Sequence, residues 1–236
     1  MSEWKAKRFW TEASVDAAEN GFSVLLDGRP VKTPAKSALV VPTKRMALEI
    51  AREWDAQEDV LDPLKMPITR AANSALDKVT VQFQEVAAMI AGYADTDLLC
   101  YRAEGPEGLV QRQAAHWDPL LDWAYDTYDA RLTLAQGIMH VAQSDETLAK
   151  LAAPVQAMTP FELAGFHDLV SISGSLVLGL AVTQGRLSSG QAWTLSRLDE
   201  DWQIEQWGHD EEAAATARNK ESDFVSAAKF YELSVT

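Results

Sequence analysis

The pattern of apolar and polar positions changes character once along this chain of 236 residues, near residue 43. Before that point, short apolar runs are punctuated by turn signals. Phe9 to Val15 is followed by Glu19-Asn20-Gly21, and Phe22 to Leu26 closes at Asp27-Gly28. Both turn sequences suit tight connections between strands. Arg29 to Thr33 and Ala38 to Val41 read as two more short strands, broken at Pro34 and Pro42. Residues 1 to about 42 are therefore expected to be β.

From Thr43 the apolar spacing becomes helical. Thr43 is a suitable cap, and Met46, Leu48, Ile50, Ala51 and Trp54 fall on one stripe of a helix running to about Gln57. Asp62-Pro63 and Met66-Pro67 mark a break. Helical spacing then recurs over Ala71 to Leu76, Val79 to Tyr93, Leu109 to Tyr128 with a new start or kink at Asp118-Pro119, and Ser144 to Val155. Thr159-Pro160-Phe161-Glu162 combines a capping box with proline at the first helical position, and predicts a helix to about Gln184, ended by Gly185. Its small central residues, Ser171, Ser173, Gly174, Ser175 and Gly179, would let a neighbouring backbone come close. Ser188-Ser189 opens a helix through Trp193, Leu195, Leu198, Trp202 and Ile204 that Gly208 interrupts. A last helix is expected over roughly Ser222 to Leu233. The fold class is thus α+β: a small β-rich N-terminal domain with one helix over 1–70, then a multihelical domain over 71–236 with no long strand after residue 105.

Charge sharpens this division. Residues 1–70 hold 11 Lys+Arg and 11 Asp+Glu, whereas residues 71–236 hold 10 and 24, so the whole net charge of −14 lies in the second part. Such a surface repels phosphates and anionic lipid heads, which argues against nucleic acid as a partner and suits a basic or mixed protein surface. The longest nearly apolar run, about Leu169 to Val182, is shorter than the about 20 residues a membrane span needs, so membrane insertion is not expected. Cys100 stands alone, which excludes an intrachain disulfide and fits a reducing compartment. The start, Met1-Ser2-Glu3-Trp4-Lys5, has neither an apolar signal core nor the composition of a transit peptide. A bacterial cytoplasmic location and a monomer are the expectations.

Marked catalytic chemistry is hard to find. His116, His140, His167 and His209 show no tight ligand spacing. His167-Asp168 and His209-Asp210 resemble pairs in metal phosphohydrolases, which leaves a metal-dependent hydrolase using His167, Asp168 and His209 as an alternative. Ser173-Gly174-Ser175 lacks the frame of a nucleophile elbow. No glycine-rich phosphate loop occurs, so no nucleotide cofactor is expected. The reading is of a protein that is not an enzyme and carries no cofactor.

Several blocks taken in order resemble a known family. They are Lys7-Arg8-Phe9-Trp10; Leu26 through Pro34; Ile50-Ala51-Arg52-Glu53-Trp54-Asp55-Ala56-Gln57; Met66 through Asn73; Tyr93-Ala94-Asp95-Thr96-Asp97-Leu98-Leu99; Gln113 through Trp123; Ser173-Gly174-Ser175-Leu176; and Asp201-Trp202-Gln203 through Trp207-Gly208. Together they resemble the ATP synthase assembly chaperones specific for the alpha subunit. The resemblance implies an ATP-independent chaperone that shields the beta-facing surface of unassembled alpha and hands it over. It also implies a mitochondrial matrix location for eukaryotic relatives. A scaffold with another client is the remaining alternative.

Within that frame the candidate partner-binding residues are Glu200, Asp201, Asp199, Glu205, Trp207 and Trp54. Trp54 reads as a core anchor of the first helix or as an interface anchor, with burial favoured by its stripe. The acids from Asp199 to Glu205 lie largely off the apolar stripe, and read as a solvated face or as a docking patch for basic residues.

Overall fold

The computed structural model describes residues 7–235, so residues 1–6 of the expected β region, and the reading of the first five as leaderless, lie outside the described residues. The chain divides into two compact units. The first is Met1–Phe83 with Thr159–Gly165 and Lys229–Thr236; the second is Gln84–Met158 with Phe166–Ala228. The first unit therefore takes back two later segments.

In the first unit, β1 (Ala13–Ala18), β2 (Gly21–Leu26) and β3 (Arg29–Pro30) form an antiparallel meander, with β4 (Val40–Val41) also antiparallel to β2. The β2–β3 connection is Asp27-Gly28, with φ of 47° and 79°, the double positive φ that the hairpin turn requires. Gly21 begins β2 beside the carbonyl of Val41. A Cβ there would sit 2.3 Å from that oxygen, so no other residue fits. The first strand starts later than the expected Phe9, because Arg8 and Trp10 serve the helix instead: the Arg8 guanidinium donates to the carbonyls of Asp55 (2.8 Å) and Gln57 (2.5 Å).

Helix α1 (Lys44–Asp55) begins as expected, with Thr43 Oγ1 accepting from Met46 N at 3.1 Å. It buries Met46, Ala47, Ile50 and Ala51 against β1 and β2. Its last turn carries Glu53, which accepts from Ile68 N and Thr69 N, both at 2.7 Å, and from Thr69 Oγ1 at 2.6 Å. Glu53 thus caps the start of α2 (Pro67–Ser74), which has no side-chain cap of its own. The returning C-terminal residues are tied in by Thr43 Oγ1 donating to Leu233 O (2.5 Å), and by the pairs Lys229–Glu49 (2.8 Å) and Arg45–Glu232 (2.7 Å).

After α2 a π-helical turn covers Ala75–Val79 and α3 is Phe83–Ala91. The second unit then contains the short parallel pair β5 (Tyr101–Arg102) and β6 (Ala135–Gln136), with α4 (Glu107–Tyr128) and α5 (Asp145–Gln156). Helix α4 continues through Pro119 without a new start. Leu99, Trp117, Leu120, Leu169, Val177, Leu178, Trp193 and Phe224 form a buried cluster in this unit. The only strand after residue 105, among the described residues, is the two-residue β6.

Three helices differ from expectation. The helix opened by Thr159 is α6 (Pro160–Ser173), and it stops at Gly174 (φ 72°). Ser175 then caps a separate α7 (Leu176–Thr183), accepting from Leu178 N at 3.0 Å. The small residues Ser173 to Ser175 therefore end one helix and start the next. Gly179 makes room for side chains, since a Cβ there would lie 2.8 Å from Val170 Cγ2. The helix opened by Ser188 is likewise two, α8 (Ser189–Ser196) and α9 (Leu198–Trp207), divided at Arg197. The last helix, α10 (Glu211–Ser234), starts eleven residues earlier than expected. Asp210 Oδ1 accepts from Ala213 N (2.7 Å), and the alanines that follow favour helix without any apolar stripe to reveal it. No helix among the described residues is long and apolar enough to cross a membrane.

Candidate functional site

The second unit contains carboxylates in two kinds of surroundings, and only one kind is free to meet a partner. Asp97 is wholly buried. Its Oδ1 accepts from Ser175 Oγ (2.7 Å) and Leu99 N (3.0 Å), and its Oδ2 from Val177 N (3.0 Å). Burial raises the Asp97 carboxyl to about 6 against the opposing pull of these donors. One side chain therefore caps both the short 3-10 turn Leu98–Cys100 and α7, joining the block from Tyr93 to Leu99 to the block from Ser173 to Leu176. Cys100, next to it, is buried, and burial pushes its thiol up to about 12, so it is inert at neutral pH.

The four acids of α9 divide differently. Asp199, Glu200 and Asp201 occupy the first turn, where the positive end of the helix dipole favours them. Asp199 Oδ1 accepts from Gln113 Nε2 (2.7 Å), whose Oε1 accepts from Ala103 N (2.8 Å), so Asp199 is tied to α4. Glu205 takes both guanidinium nitrogens of Arg112 at 2.8 Å, and that guanidinium lies 4.6 Å from the ring centroid of Trp202. The Arg112 hydrogen bonds hold the Glu205 carboxyl below its usual range. Among the described residues, Glu200 and Asp201 form ion pairs with Arg197 alone, at 3.7 and 4.0 Å, and Asp201 also adds to the field that raises the Arg112 guanidinium. Two acids of the four are thus fixed to α4, and two remain available.

Beside them the chain leaves apolar surface uncovered. Trp207 is 79% exposed and Ile204 is 36% exposed. With Ala213 and Ala217 of α10 they line an open groove of about 810 Å3, and Glu200, Asp201 and Glu212 stand along it. The α10 side of this groove was not among the sequence candidates. Its signal was the Asp210-to-Ala213 capping spacing followed by an alanine run.

Trp54 lies elsewhere, on α1 in the first unit. It is half-buried and meets the buried Trp10 edge-on, with ring centroids 5.0 Å apart. Its indole nitrogen is buried, with no hydrogen-bond acceptor among the described residues. The hydrolase candidates do not gather into a ligand set: His167 Nδ1 lies 2.8 Å from Asp168 Oδ1, and among the described residues no group of three or more His, Cys, Asp or Glu is placed to hold a metal ion.

This architecture, a small β-containing unit and a helical one, is also that of solved Atp12 structures. The chain superimposes on Atp12 from Paracoccus denitrificans with a TM-score of 0.95 at 48% identity, covering 99% of this chain and 100% of the other. An aspartate-to-lysine mutant of that protein gives 0.96 at the same identity and coverage. The Atu1473 protein of Agrobacterium tumefaciens gives 0.92 at 43% identity, over 96% of this chain and 85% of that one. In sequence, the mitochondrial protein atp12 of Schizosaccharomyces pombe is 27% identical over 219 residues, 88% of this chain and 75% of its own length. Residues 7–125 match the family described as ATP12 chaperone protein. The chain belongs to the ATP12 chaperone family, the assembly chaperones of ATP synthase that the ordered blocks resemble.

Proposed function

We propose that this protein holds the unassembled alpha subunit of the ATP synthase catalytic sector, covers the surface that beta will occupy, and releases alpha during assembly. An obligate subunit interface is large and apolar, and exposed alone it promotes aggregation. A protein that binds it reversibly prevents that loss. Release requires only that the final assembly be more stable than the chaperone complex, so no nucleotide cycle is needed. Membership of the ATP12 chaperone family supports the class. The observation that carries the site is α9, which presents Trp207, Glu200 and Asp201 while fixing Asp199 and Glu205 internally. Trp54 is proposed as a structural residue of the first unit that acts on binding through folding.

The test is affinity capture with the tagged full chain from cells that make ATP synthase, read by mass spectrometry. Alpha is expected as the main partner. Recovery of beta in place of alpha, or of no ATP synthase subunit, would refute the assignment of the client.

A further inference from the structure

We propose that the face between α9 and the first three turns of α10 is a docking groove for an amphipathic helix of the client, its apolar side on Ile204, Trp207, Ala213 and Ala217 and its basic edge along Glu200 and Asp201. This inference rests on the chaperone reading above and assigns the mode of recognition.

Both walls of the groove are helices that bury little on the groove side: α9 rests on α4 through Asp199, Trp202 and Glu205 and leaves its other face open. Among the residues of α9 only Leu198 is buried. From Glu211 to Lys220, every residue of α10 is exposed except Ala214 and Ala217, which are half-buried. Helices draw most of their stability from a covered face, and the sides of these two that line the open groove of about 810 Å3 have no such cover among the described residues. A tryptophan left 79% exposed beside it is the kind of side chain that anchors an interface. The alanines opposite are short enough for a partner backbone to come close. A third helix laid between two others, with anchors at helical spacing, is the mode this shape fits.

Charge decides the occupant. The groove is lined by the acids Glu200, Asp201, Asp210, Glu212 and Glu221 against Arg197, Arg218 and Lys220. Arg197 already lies between Glu200 and Asp201 and 5.6 Å from the ring centroid of Trp193, so the α9 wall keeps its acidic excess. A second copy of this chain, at a net charge of −14, would set the same acids against each other. A client helix with lysine or arginine beside its apolar stripe gains on both counts.

The chain's single cysteine makes the test direct. Cys100 is buried and inert, so Ala213→Cys supplies one reactive thiol in the groove. Labelled with a maleimide-benzophenone and irradiated with co-expressed ATP synthase alpha subunit, it should cross-link to alpha. The same label on Asp126→Cys, exposed on α4, should not. The changes Ile204→Glu and Trp207→Ala should each lower alpha capture at least tenfold with melting unchanged. Wild type that captures no alpha overturns both the client assignment and the groove. Wild type that captures alpha, while the two groove variants capture it equally and Ala213→Cys cross-links no better than Asp126→Cys, overturns the groove alone. Cross-linking to a second copy of this chain in place of alpha overturns it as well.

Discussion

Asp97 and the pair Glu200–Asp201 carry the same functional group into opposite surroundings. Asp97 is fully buried and holds three donors, two of them backbone N–H groups at the starts of helical turns. Glu200 and Asp201 lie on a helix that buries one residue, and their ion pairs among the described residues are long ones, to a single guanidinium at 3.7 and 4.0 Å. Both regions fall in blocks that resemble the family. The contrast shows that such a block can mark a joint of the fold as readily as a surface for a client. Position in a block therefore does not reveal which role a residue has; its partners do. Glu53 and Gln113 stand with Asp97, because each ties separate chain segments together.

The strongest way to break this contrast is to remove the buried acid. Asp97→Ala should strand Leu99 N, Val177 N and Ser175 Oγ in the core and cost about 3 kcal/mol or more. For a chain of this size that is a fall in Tm of about 6–12 °C by thermal circular dichroism. A change within 2 °C would show that the buried joint is not a joint. Next in size is Trp54→Arg, expected to cost about 2–4 kcal/mol by losing the edge-on packing with Trp10 and placing a charge beside it. Trp54→Phe, which removes an indole N–H with no acceptor among the described residues, should be close to neutral. A Trp54→Arg protein that melts normally yet fails to capture client would move Trp54 from the fold to the interface.

What could be read beforehand was local. Thr43, Ser144, Thr159 and Ser188 each cap the helix that follows them, because an N-cap contact spans three residues and so is written into adjacent sequence. Asp97 and Ser175 lie 78 positions apart and Gln113 and Asp199 lie 86 apart, and nothing near either member signals the other. The break at Gly174 was hidden for a related reason. The helices on both sides of it are buried nearly all round, so the apolar run from Leu169 to Val182 shows no face that could end. Sequence pattern singled out the α9 acids as a group. Dividing them into fixed and available ones required knowing where Arg112 and Gln113 sit on α4.

A smaller effect sharpens the contrast through pH. Burial lifts the Asp97 carboxyl from its ordinary 3.8 to about 6. A carboxyl raised in the folded state takes up a proton on folding between those values, so its contribution to stability falls as pH rises from about 4 to about 6 and is level above. Glu53, raised chiefly by burial, acts in the same direction. Glu205, held low by Arg112, acts oppositely: its contribution is present at neutral pH and is lost as pH falls through its lowered folded value. Wild type and Asp97→Asn should therefore differ in the slope of Tm against pH across that window, by on the order of 1–3 kcal/mol in total. Parallel curves, or a carboxyl carbon resonance of Asp97 titrating near 4, would place the group in a wetter setting than the structure gives it.

The exposed pair should leave stability untouched and act on binding alone. The double change Glu200→Gln and Asp201→Asn keeps size and removes two charges. Each acid has a long contact to Arg197 to lose, and Asp201 a longer-range attraction to the exposed Arg112, and exposed pairs of that kind contribute little. The Tm should stay within about 1 °C of wild type. Binding to alpha should weaken several-fold at low salt, with the loss mainly in the association rate if the acids sit at the rim, or in the dissociation rate if they become desolvated in the complex. Wild-type binding should itself weaken as salt rises, since screening confines exposed charges to about 8 Å at physiological ionic strength, and the double variant should be less sensitive to salt. Glu205→Gln provides the matched control. Its charge is already occupied by Arg112, so it should alter capture less than the double variant does. Equal capture by wild type and the double variant at low salt would make Glu200 and Asp201 a solvated face. The comparison with Asp97 would then separate buried acids from idle ones, and the charge argument for α9 as the docking wall would fall.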